Sequence, residues 1–394
     1  MSINQIKKEV IKEIDRLKPE IINISRLIHS KPELAYNESF AADILTSFLR
    51  KNDFKVERGI GGLKTSFIAS AKGKRKSPSI ALIAEYDALP KMGHACGHNM
   101  IGAISAGAAT ALKNAIADIG GKISVIGTPA EEGGGGKIKL IEKGVFKNID
   151  MAMMAHPSNK TRVVGRMLAV VEMTFTFIGK SSHAAAFPYE GVNALDGVIL
   201  TYNNINALRQ QLKEDVRIHG IITEGGEAPN IIPDRASARF YVRSIDMKYF
   251  EDVVEKVKEC ARGAAKATGC RLRIAIRETV YHPFKPNYVM AEILRYNMKL
   301  AGLKEDSIGE KESMGSSDIG NLSQVIPTIH PEFAIGKRSV VNHSPEFAKA
   351  AVSKFGVDMM IKMTKTIAMT ALDIFSSPEK VKEIKSEFRT QKPI

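Results

Sequence analysis

Three short apolar runs in the first half of the chain, each followed directly by reactive side chains, constrain its fold most strongly. They are SIALIA at 79–84, ISVIG at 123–127 and IDMAMMA at 149–155. Their length and continuous apolar character are typical of strands that are buried on both faces, and helical stretches such as 100–120 separate them. This alternation predicts an α/β domain with a mainly parallel sheet that is covered by helices on both faces.

From about residue 167 the apolar residues follow a different pattern. The segments 170–180, 236–244 and 270–278 alternate apolar with polar side chains, which is typical of antiparallel strands with one face in solvent. Helical stretches at 192–213 and 247–268 and a further strand near 216–223 lie between them. The order strand, helix, strand, strand, helix, strand predicts a ferredoxin-like α+β unit.

This second pattern interrupts the first. After it, helical and apolar patterns resume over 287–376 without a sheet large enough to stand alone, so that segment must return to complete the first domain. We therefore predict that 1–166 and 285–394 form a catalytic domain and that 167–284 is an inserted domain.

Length and composition agree with a two-domain globular protein outside a membrane. The 394 residues exceed what one hydrophobic core usually supports. No stretch approaches the about 20 apolar residues that a membrane span needs. The N-terminal segment 1–21 has the spacing of an amphipathic helix and lacks the apolar block of a signal peptide, so we expect a cytoplasmic protein. The 3 cysteines are too few for a disulfide framework.

The net charge of +14 raises the question of a nucleic acid partner. The 57 Lys and Arg residues are dispersed, however, and the longest cluster is the short segment KGKRK at 72–76, which we interpret as a solvated loop. No nucleic acid motif accompanies it. We therefore expect a small-molecule substrate rather than nucleic acid, with the charge favouring anionic substrates by steering.

Candidate metal ligands stand at the ends of the buried runs and in the stretch GHACGHN at 93–99. Cys96 and His98 are two residues apart, Glu131 and Glu132 follow the second run, and His156 follows the third. Taken singly, each has an ordinary structural explanation. Ligands of parallel sheets bind beyond the carboxyl ends of the strands, so these thiol, imidazole and carboxylate groups should meet at one edge. The joint arrangement predicts a site for divalent metal.

The motifs AEYDALP, GHACGHN, PAEEGG, AHP, GKSSHAAAFP, NIIPD and NHSPEF, in this order, resemble those of a known enzyme family. It is the group of dinuclear-metal amidohydrolases and metallopeptidases that includes aminoacylase, acetylornithine deacetylase and glutamate carboxypeptidase. The most similar subgroup contains auxin-conjugate hydrolases, aminobenzoyl-glutamate hydrolase and aminoacylase-like dipeptidases. The resemblance covers nearly the whole chain.

This resemblance implies a three-layer αβα metallopeptidase catalytic domain with an inserted lid and dimerisation domain. It further implies a homodimer formed through that lid and two divalent metal ions, Zn²⁺ or Mn²⁺, in each subunit. The implied reaction is hydrolysis of the amide bond of N-acyl amino acids or dipeptides by a metal-activated water.

The resemblance also implies roles for individual residues. Glu131 would be the general base, and His183 would reach the site from the lid, from a partner subunit, to stabilise the oxyanion. Asp87 would orient a metal ligand without binding metal itself. The implied metal ligands are Cys96, shared by both ions, with His98, Glu132, His156 and His343, and the implied substrate contacts are Asn230, Ser317 and Asp318, with Ser316 beside them.

The chain departs from the wider family at two positions. Most members have a His where this chain has Glu85, and an Asp where it has Cys96. These changes are typical of the subgroup, in which His98 replaces the lost imidazole. The resemblance therefore does not fix which metal is bound.

Two other functions remain open at this point. Cys96 is a possible nucleophile of a thiol hydrolase, with His94 or His98 as its base, but that mechanism leaves His156 and His343 without a role. The other alternative is a non-catalytic metal-binding protein with the same fold.

Overall fold

The computed structural model of the protein describes residues 2–74, 78–307 and 314–391. The chain divides into two compact units, Met1–Gly165 with Phe284–Pro393, and Arg166–Pro283. These junctions lie one residue from those that the sequence suggested. Residues 75 and 76 of the basic segment KGKRK lie outside the described residues, so its predicted exposure as a loop is not described either.

The strands and helices of the described residues are numbered in chain order. The strands are β1 (Lys55–Arg58), β2 (Phe67–Lys72), β3 (Ser79–Ala84), β4 (Lys122–Gly127), β5 (Met151–Met153), β6 (His156–Ser158), β7 (Ala169–Ile178), β8 (Arg217–Glu224), β9 (Arg235–Ser244), β10 (Arg271–Ile276), β11 (Thr328–Ile329) and β12 (Glu332–Ala334). The helices are α1 (Ile3–Ser30), α2 (Ser39–Lys51), α3 (His98–Ile119), α4 (Gly136–Glu142), α5 (Ala194–Arg209), α6 (Met247–Thr268), α7 (Tyr288–Leu300), α8 (Ile319–Val325), α9 (Pro345–Ala350), α10 (Lys354–Ser376) and α11 (Pro378–Thr390).

The first unit is built on a mixed sheet with the strand order β1-β2-β4-β3-β5-β11. Strands β4, β3, β5 and β11 run parallel, whereas β1 and β2 pair antiparallel at one edge. Every residue of β3 and β5 is buried, which explains why these strands are continuous apolar runs. The predicted α/β class is confirmed. Because β3, β4 and β5 run parallel, the carboxyl ends of the three apolar runs lie at the same end of the sheet.

Helix α3 packs on β3 and β4 and against α1 and α10. It is long and apolar enough to span a membrane by length and composition, yet 78% of its most apolar window is buried inside the protein. Its small residues permit close packing, since a Cβ atom at Gly107 would lie 2.5 Å from the Ile21 side chain of α1. The apolar character of α3 is thus accounted for by its position in the core.

The second unit is a four-stranded antiparallel sheet with the order β10-β7-β9-β8 and the helices α5 and α6. Buried and partly exposed residues alternate along β7, so one sheet face is covered, and both helices pack on β9. Helix α6 buries residues three and four positions apart, including Val253, Val257 and Ala261. This strand order and helix placement are those of a ferredoxin-like unit, as predicted.

Candidate metal centre

The first unit brings the predicted ligand residues into two overlapping groups. Candidate ligand atoms of Cys96, His98 and His156 all lie within 4.8 Å of one another, and so do those of Cys96, Glu132 and His343. Cys96 belongs to both groups, which is the arrangement expected of a ligand shared by two ions. The convergence follows from the sheet, because Glu132 follows β4, His156 follows β5 and the loop after β3 leads to Cys96.

Cys96 and His156 approach each other directly. The Cys96 Sγ atom lies 3.6 Å from His156 Nε2, and His156 Nδ1 lies 2.6 Å from the Pro157 backbone carbonyl oxygen. Because a carbonyl only accepts, Nδ1 carries the hydrogen, and the neutral ring therefore has its lone pair on Nε2 beside the sulfur. This is the tautomer that a metal ligand requires.

His98 is oriented in the same way by Asp87. Its Nδ1 atom lies 2.9 Å from Asp87 Oδ1 and 3.0 Å from the Asp87 backbone carbonyl oxygen. The other Asp87 oxygen, Oδ2, accepts a hydrogen bond from the Glu132 backbone N–H at 2.9 Å. Asp87 thus contacts two predicted ligands at once, which is what its predicted orienting role requires.

His343 lies in the loop before α9 and completes the second group. Its Nε2 atom is 3.5 Å from Glu132 Oε1, and its backbone N–H donates to the Ala95 carbonyl at 2.9 Å. Its φ of 64° is in the left-handed region, which costs a residue with a Cβ roughly 1–2 kcal/mol. Such strain persists only where the surrounding contacts hold it, and it clusters at functional sites.

Gly97 lets two ligand segments approach closely. Its φ is +80°, and a Cβ atom built on it would lie only 2.4 Å from Pro157 Cγ. The glycine thus places the segment of Cys96 and His98 against the segment of His156. This is the close backbone approach for which a residue without a side chain is needed.

Burial and mutual repulsion govern the charges of the cluster. Burial raises the pKa of Glu131 well above its usual range, and the Glu85 and Glu132 carboxylates raise it further. Burial alone would lower the pKa of His98, but neighbouring groups, among them the Asp87 and Glu85 carboxylates, outweigh it and raise the pKa well above the usual range. The cluster therefore favours a positive charge at its centre, either a proton on His98 or a bound cation.

The orphaned polar atoms of the site also fit divalent cations. In residues 2–74, 78–307 and 314–391, the buried atoms Glu85 Oε2, His98 Nε2 and Glu132 Oε1 have no hydrogen-bond partner. Thiol, imidazole and carboxylate groups are the donors that Zn²⁺ and similar ions take. Burial raises the pKa of Cys96, with Glu132 adding to the shift, so this thiol is not an activated nucleophile and the thiol hydrolase is not favoured.

A buried ion pair beside the cluster was not anticipated from the sequence. Lys137 Nζ lies 2.5 Å from Glu85 Oε1 and 2.6 Å from Asp318 Oδ1, and all three side chains are fully buried. The predicted contact of Asp318 and Ser317 with substrate remains a prediction, and Ser317 is itself nearly buried. The only local signal for Lys137 is its position after the glycine run 133–136, which by itself suggests a solvated turn.

His183 and Asn230 belong to the second unit, where they are neighbours. The Ala184 backbone N–H donates to the Asn230 carbonyl at 3.0 Å, and His183 Nδ1 accepts from the Ala186 backbone N–H at 3.1 Å. Both residues are exposed. Because Nδ1 accepts, the neutral ring has its hydrogen on Nε2, the form that can donate to a developing negative charge. Their roles in catalysis remain predictions.

Comparison with known proteins identifies the family. Residues 81–366 match the model of the peptidase family M20/M25/M40. The chain belongs to this family. The resemblance inferred from the motifs is thereby confirmed, and the protein is a metal-dependent peptidase or amidohydrolase. The non-catalytic alternative is not favoured either.

Three relatives in this family cover different shares of the chain. The Xaa-Arg dipeptidase of Mus musculus is 40% identical over 400 residues, which is 98% of this chain and 92% of the relative. The Xaa-Arg dipeptidase of Homo sapiens is 38% identical over 95% of this chain and 90% of its own. One subunit of the p-aminobenzoyl-glutamate hydrolase of Escherichia coli is 34% identical over 62% of this chain and 55% of its own.

Solved structures share the fold. A dinuclear metal-binding peptidase of the M20 family from Bacillus subtilis has a TM-score of 0.71 at 20% identity, covering 92% of this chain and 99% of that one. An aminobenzoyl-glutamate utilization protein from Klebsiella pneumoniae has a TM-score of 0.71 at 18% identity, and the match covers 92% of this chain and 97% of that one. The combination of an M20 peptidase core with the inserted unit is therefore confirmed for this chain.

Proposed function

We propose that this M20 enzyme is a dipeptidase that hydrolyses dipeptides with a basic C-terminal residue, using two divalent cations. The observation that supports this proposal most strongly is that Cys96 belongs to both groups of candidate metal ligands. The choice of substrate is supported by the Xaa-Arg dipeptidases, which match this chain over 95–98% of its length. N-acyl amino acids are the second substrate class, supported by the shorter match to the p-aminobenzoyl-glutamate hydrolase.

In this proposal the two ions, Zn²⁺ or Mn²⁺, are bound by the predicted set of ligands. Bound ions would polarise the scissile carbonyl and lower the pKa of the attacking water. Asp87 keeps the His98 ring in its ligating tautomer through the contact between Nδ1 and Oδ1 at 2.9 Å. The ligands are Cys96, His98, Glu132, His156 and His343.

Glu131 is the proposed general base. It is buried, and burial together with the Glu85 and Glu132 carboxylates raises its pKa, which makes it a better proton acceptor than an ordinary carboxylate. Its Oε2 atom lies 3.9 Å from His98 Nε2, so its carboxylate reaches the ligand cluster. In the reaction it takes a proton from the attacking water and passes the proton to the leaving amine, which departs as the amide C–N bond breaks.

The second unit supplies the remaining groups and the interface. We assign His183 to the developing oxyanion and Asn230 to the substrate carboxylate, with His183 acting in the partner subunit of a homodimer. The dimer is supported by the outer strand of the sheet, β8, where Ile221 is 62% and Ile222 is 46% exposed. An edge strand with exposed apolar residues is an ordinary site of association.

The test is a substrate panel measured with the purified protein loaded with Zn²⁺ or Mn²⁺. Dipeptides with C-terminal Arg or Lys, neutral dipeptides and N-acyl amino acids would be compared by chromatography of the released amino acid. The proposal expects the highest kcat/KM for the basic dipeptides and loss of activity with a chelator. Turnover of N-acyl amino acids alone would overturn the dipeptidase assignment, and absence of any hydrolysis would overturn the proposed function.

The homodimer has a separate test. Mixed Glu131→Gln and His183→Ala variants, each inactive alone, should recover part of the activity when subunits exchange, because a mixed dimer contains one intact pair. Light scattering of the wild-type protein reports its mass. A monomeric mass, or no recovery in mixtures that demonstrably exchange subunits, would contradict catalysis across subunits.

A further inference from the structure

The Glu85 carboxylate has one oxygen bound and one oxygen without a partner. Glu85 follows β3 and is fully buried. Its Oε1 atom accepts from Lys137 Nζ at 2.5 Å, whereas Oε2 finds no hydrogen-bond donor in the part of the chain that the structure describes. Burying a carboxylate oxygen without a donor or a cation destabilises a fold, so this oxygen needs an explanation.

The free oxygen faces a second buried atom without a hydrogen-bond partner. Glu85 Oε2 lies 3.4 Å from His98 Nε2, and neither atom makes a hydrogen bond to the described residues. His98 Nδ1 is 3.0 Å from the Asp87 backbone carbonyl, which only accepts, so Nδ1 carries a hydrogen and Nε2 is the nitrogen that can bind a metal ion. A cation bound by both Glu85 Oε2 and His98 Nε2 satisfies both atoms.

Glu132 adds a third atom of the same kind. Its Oε1 atom is buried, lies 3.9 Å from His98 Nε2, and has no hydrogen-bond partner among the described residues. Two ligand atoms that bind one metal ion at about 2.0–2.2 Å in tetrahedral directions lie roughly 3.3–3.6 Å from each other. The distance between Glu85 Oε2 and His98 Nε2 falls in this range.

We propose that Glu85 is a further metal ligand, binding through Oε2 to the ion that His98 binds. This proposal rests on the proposed function, since it adds a ligand to the same centre. Lys137 is then a positioning residue: by holding Oε1 it turns Oε2 toward the ligand cluster. The centre has one more protein carboxylate than the motifs imply.

Asp318 supports this division of roles. Both of its oxygens are already used by Lys137, since Oδ1 lies 2.6 Å from Nζ and Oδ2 accepts from the Lys137 backbone N–H at 2.9 Å. Of the two buried carboxylates beside the ammonium group, Glu85 is thus the one with an oxygen to spare.

A rival location for a cation lies on the other side of Glu85. Among the described residues, the group of three candidate ligands that includes Glu85 consists of Glu85, Glu131 and Asp318, whose ligand atoms fall within 4.8 Å of one another. An ion there would stand beside the Lys137 ammonium group, which is already in contact with two of these carboxylates. Repulsion between the two cations in a buried place disfavours that location, so the ion belongs on the His98 side.

The experiment compares two variants that remove the same charge beside Lys137. Glu85→Gln removes the proposed ligand, and the matched control Asp318→Asn removes a carboxylate whose oxygens are both used. Binding of Zn²⁺ would be titrated against competing chelators, and the absorption spectrum of the Co²⁺-loaded protein would report the coordination of the ion. Circular dichroism and thermal unfolding check the fold.

We expect Glu85→Gln to weaken the binding of one ion at least about 10-fold and to change the Co²⁺ spectrum. Asp318→Asn should keep the wild-type affinity and spectrum. Unchanged binding of two ions by Glu85→Gln, or an equal loss in both variants, would overturn the proposal while leaving the proposed function intact. A wild-type protein that binds no ion would overturn both.

If Glu85→Gln does not fold, crystals of the wild-type protein loaded with Mn²⁺ decide the question. Anomalous scattering locates the ions directly. An ion within about 2.5 Å of Glu85 Oε2 supports the assignment, because carboxylate oxygens bind such metals at about 2.0–2.2 Å. Ions that lie farther than that from Oε2 would overturn it.

Discussion

The Glu38 carboxylate accepts a hydrogen bond from the Ala130 backbone N–H at 2.9 Å. Ala130 has a φ of 61°, in the left-handed region that an alanine rarely adopts, and it stands directly before Glu131 and Glu132. Glu38 is fully buried and also accepts from Thr65 Oγ1 at 2.8 Å. A side chain from the N-terminal part of the chain thus fixes the backbone that presents the proposed base.

Replacing Glu38 by Ala is therefore expected to impair catalysis from a distance. The backbone of Ala130 can relax toward an ordinary φ, which would displace Glu131, so we expect kcat to fall by about 10-fold or more. The free energy of unfolding should also fall by roughly 1–3 kcal/mol, because buried hydrogen-bond donors lose their acceptor. Steady-state kinetics and urea unfolding measure both effects. The control Glu38→Gln keeps a carbonyl acceptor and should lose less activity and less stability than Glu38→Ala.

Gly97→Ala should disrupt the metal centre. The new methyl group would stand 2.4 Å from Pro157 Cγ in a backbone of positive φ, so either the segment of Cys96 or that of His156 must move. We expect loss of bound metal, measured by elemental analysis, and loss of most activity. Gly133→Ala is the matched control, since nothing lies within 4 Å of its Cβ position. Full metal content in Gly97→Ala would show that the close approach is not required.

Glu131→Gln separates proton transfer from metal binding. The amide cannot accept a proton from water, and loss of a general base commonly lowers the rate by about 10² to 10⁴. Metal content should stay at the wild-type level, because Glu131 is not among the proposed ligands. Glu132→Gln, by contrast, should lose metal as well as activity. A Glu131→Gln enzyme that retains wild-type turnover would refute the proposed base.

Much of the first unit was predictable because its central strands are buried on both faces. The continuous apolar runs of β3, β4 and β5 are best explained as strands buried on both faces. Their parallel direction brings the residues that follow them to one end of the sheet. Cys96 and His156 were placed together by that rule alone. Their Sγ and Nε2 atoms indeed lie 3.6 Å apart.

The ion pairs and the backbone strain were beyond the reach of local patterns. Lys137 meets a carboxylate at position 85 and another at 318, and nothing in a glycine run indicates that the following lysine is fully buried. Ala130 likewise adopts a positive φ because a residue 92 positions away holds its N–H. Both features depend on tertiary contacts that propensity and periodicity do not encode.

The stability of the first unit should depend on pH through Glu305. Partial burial alone would raise the pKa of Glu305, but hydrogen bonds from Arg295 and from the Val163 backbone N–H outweigh it and lower the pKa. A lowered folded-state pKa stabilises the fold above the unfolded pKa of about 4.3, and this stabilisation is lost as pH falls through the folded pKa.

Glu305→Gln should therefore reduce the free energy of unfolding by roughly 1 kcal/mol at neutral pH and by less at pH values near 3. Urea unfolding at both pH values measures the difference. Glu292→Gln is the control, because Glu292 pairs with the same Arg295 but its side chain is 73% exposed, so its loss should change stability little. An effect of Glu305→Gln that is equal at both pH values would contradict the linkage.

The net charge of +14 predicts how salt affects different substrates. A dipeptide with C-terminal Arg carries a net charge of about +1 at neutral pH, so the protein repels it at long range, whereas an N-acyl glutamate is attracted. The Debye screening length shortens from about 30 Å at 0.01 M salt to about 8 Å at 0.15 M salt. Over this range kcat/KM should rise about twofold or more for the basic dipeptide and fall for the N-acyl glutamate, with a zwitterionic neutral dipeptide as the unaffected control. A fall for the basic dipeptide would mean that anionic groups near the site, rather than the net charge, govern its capture.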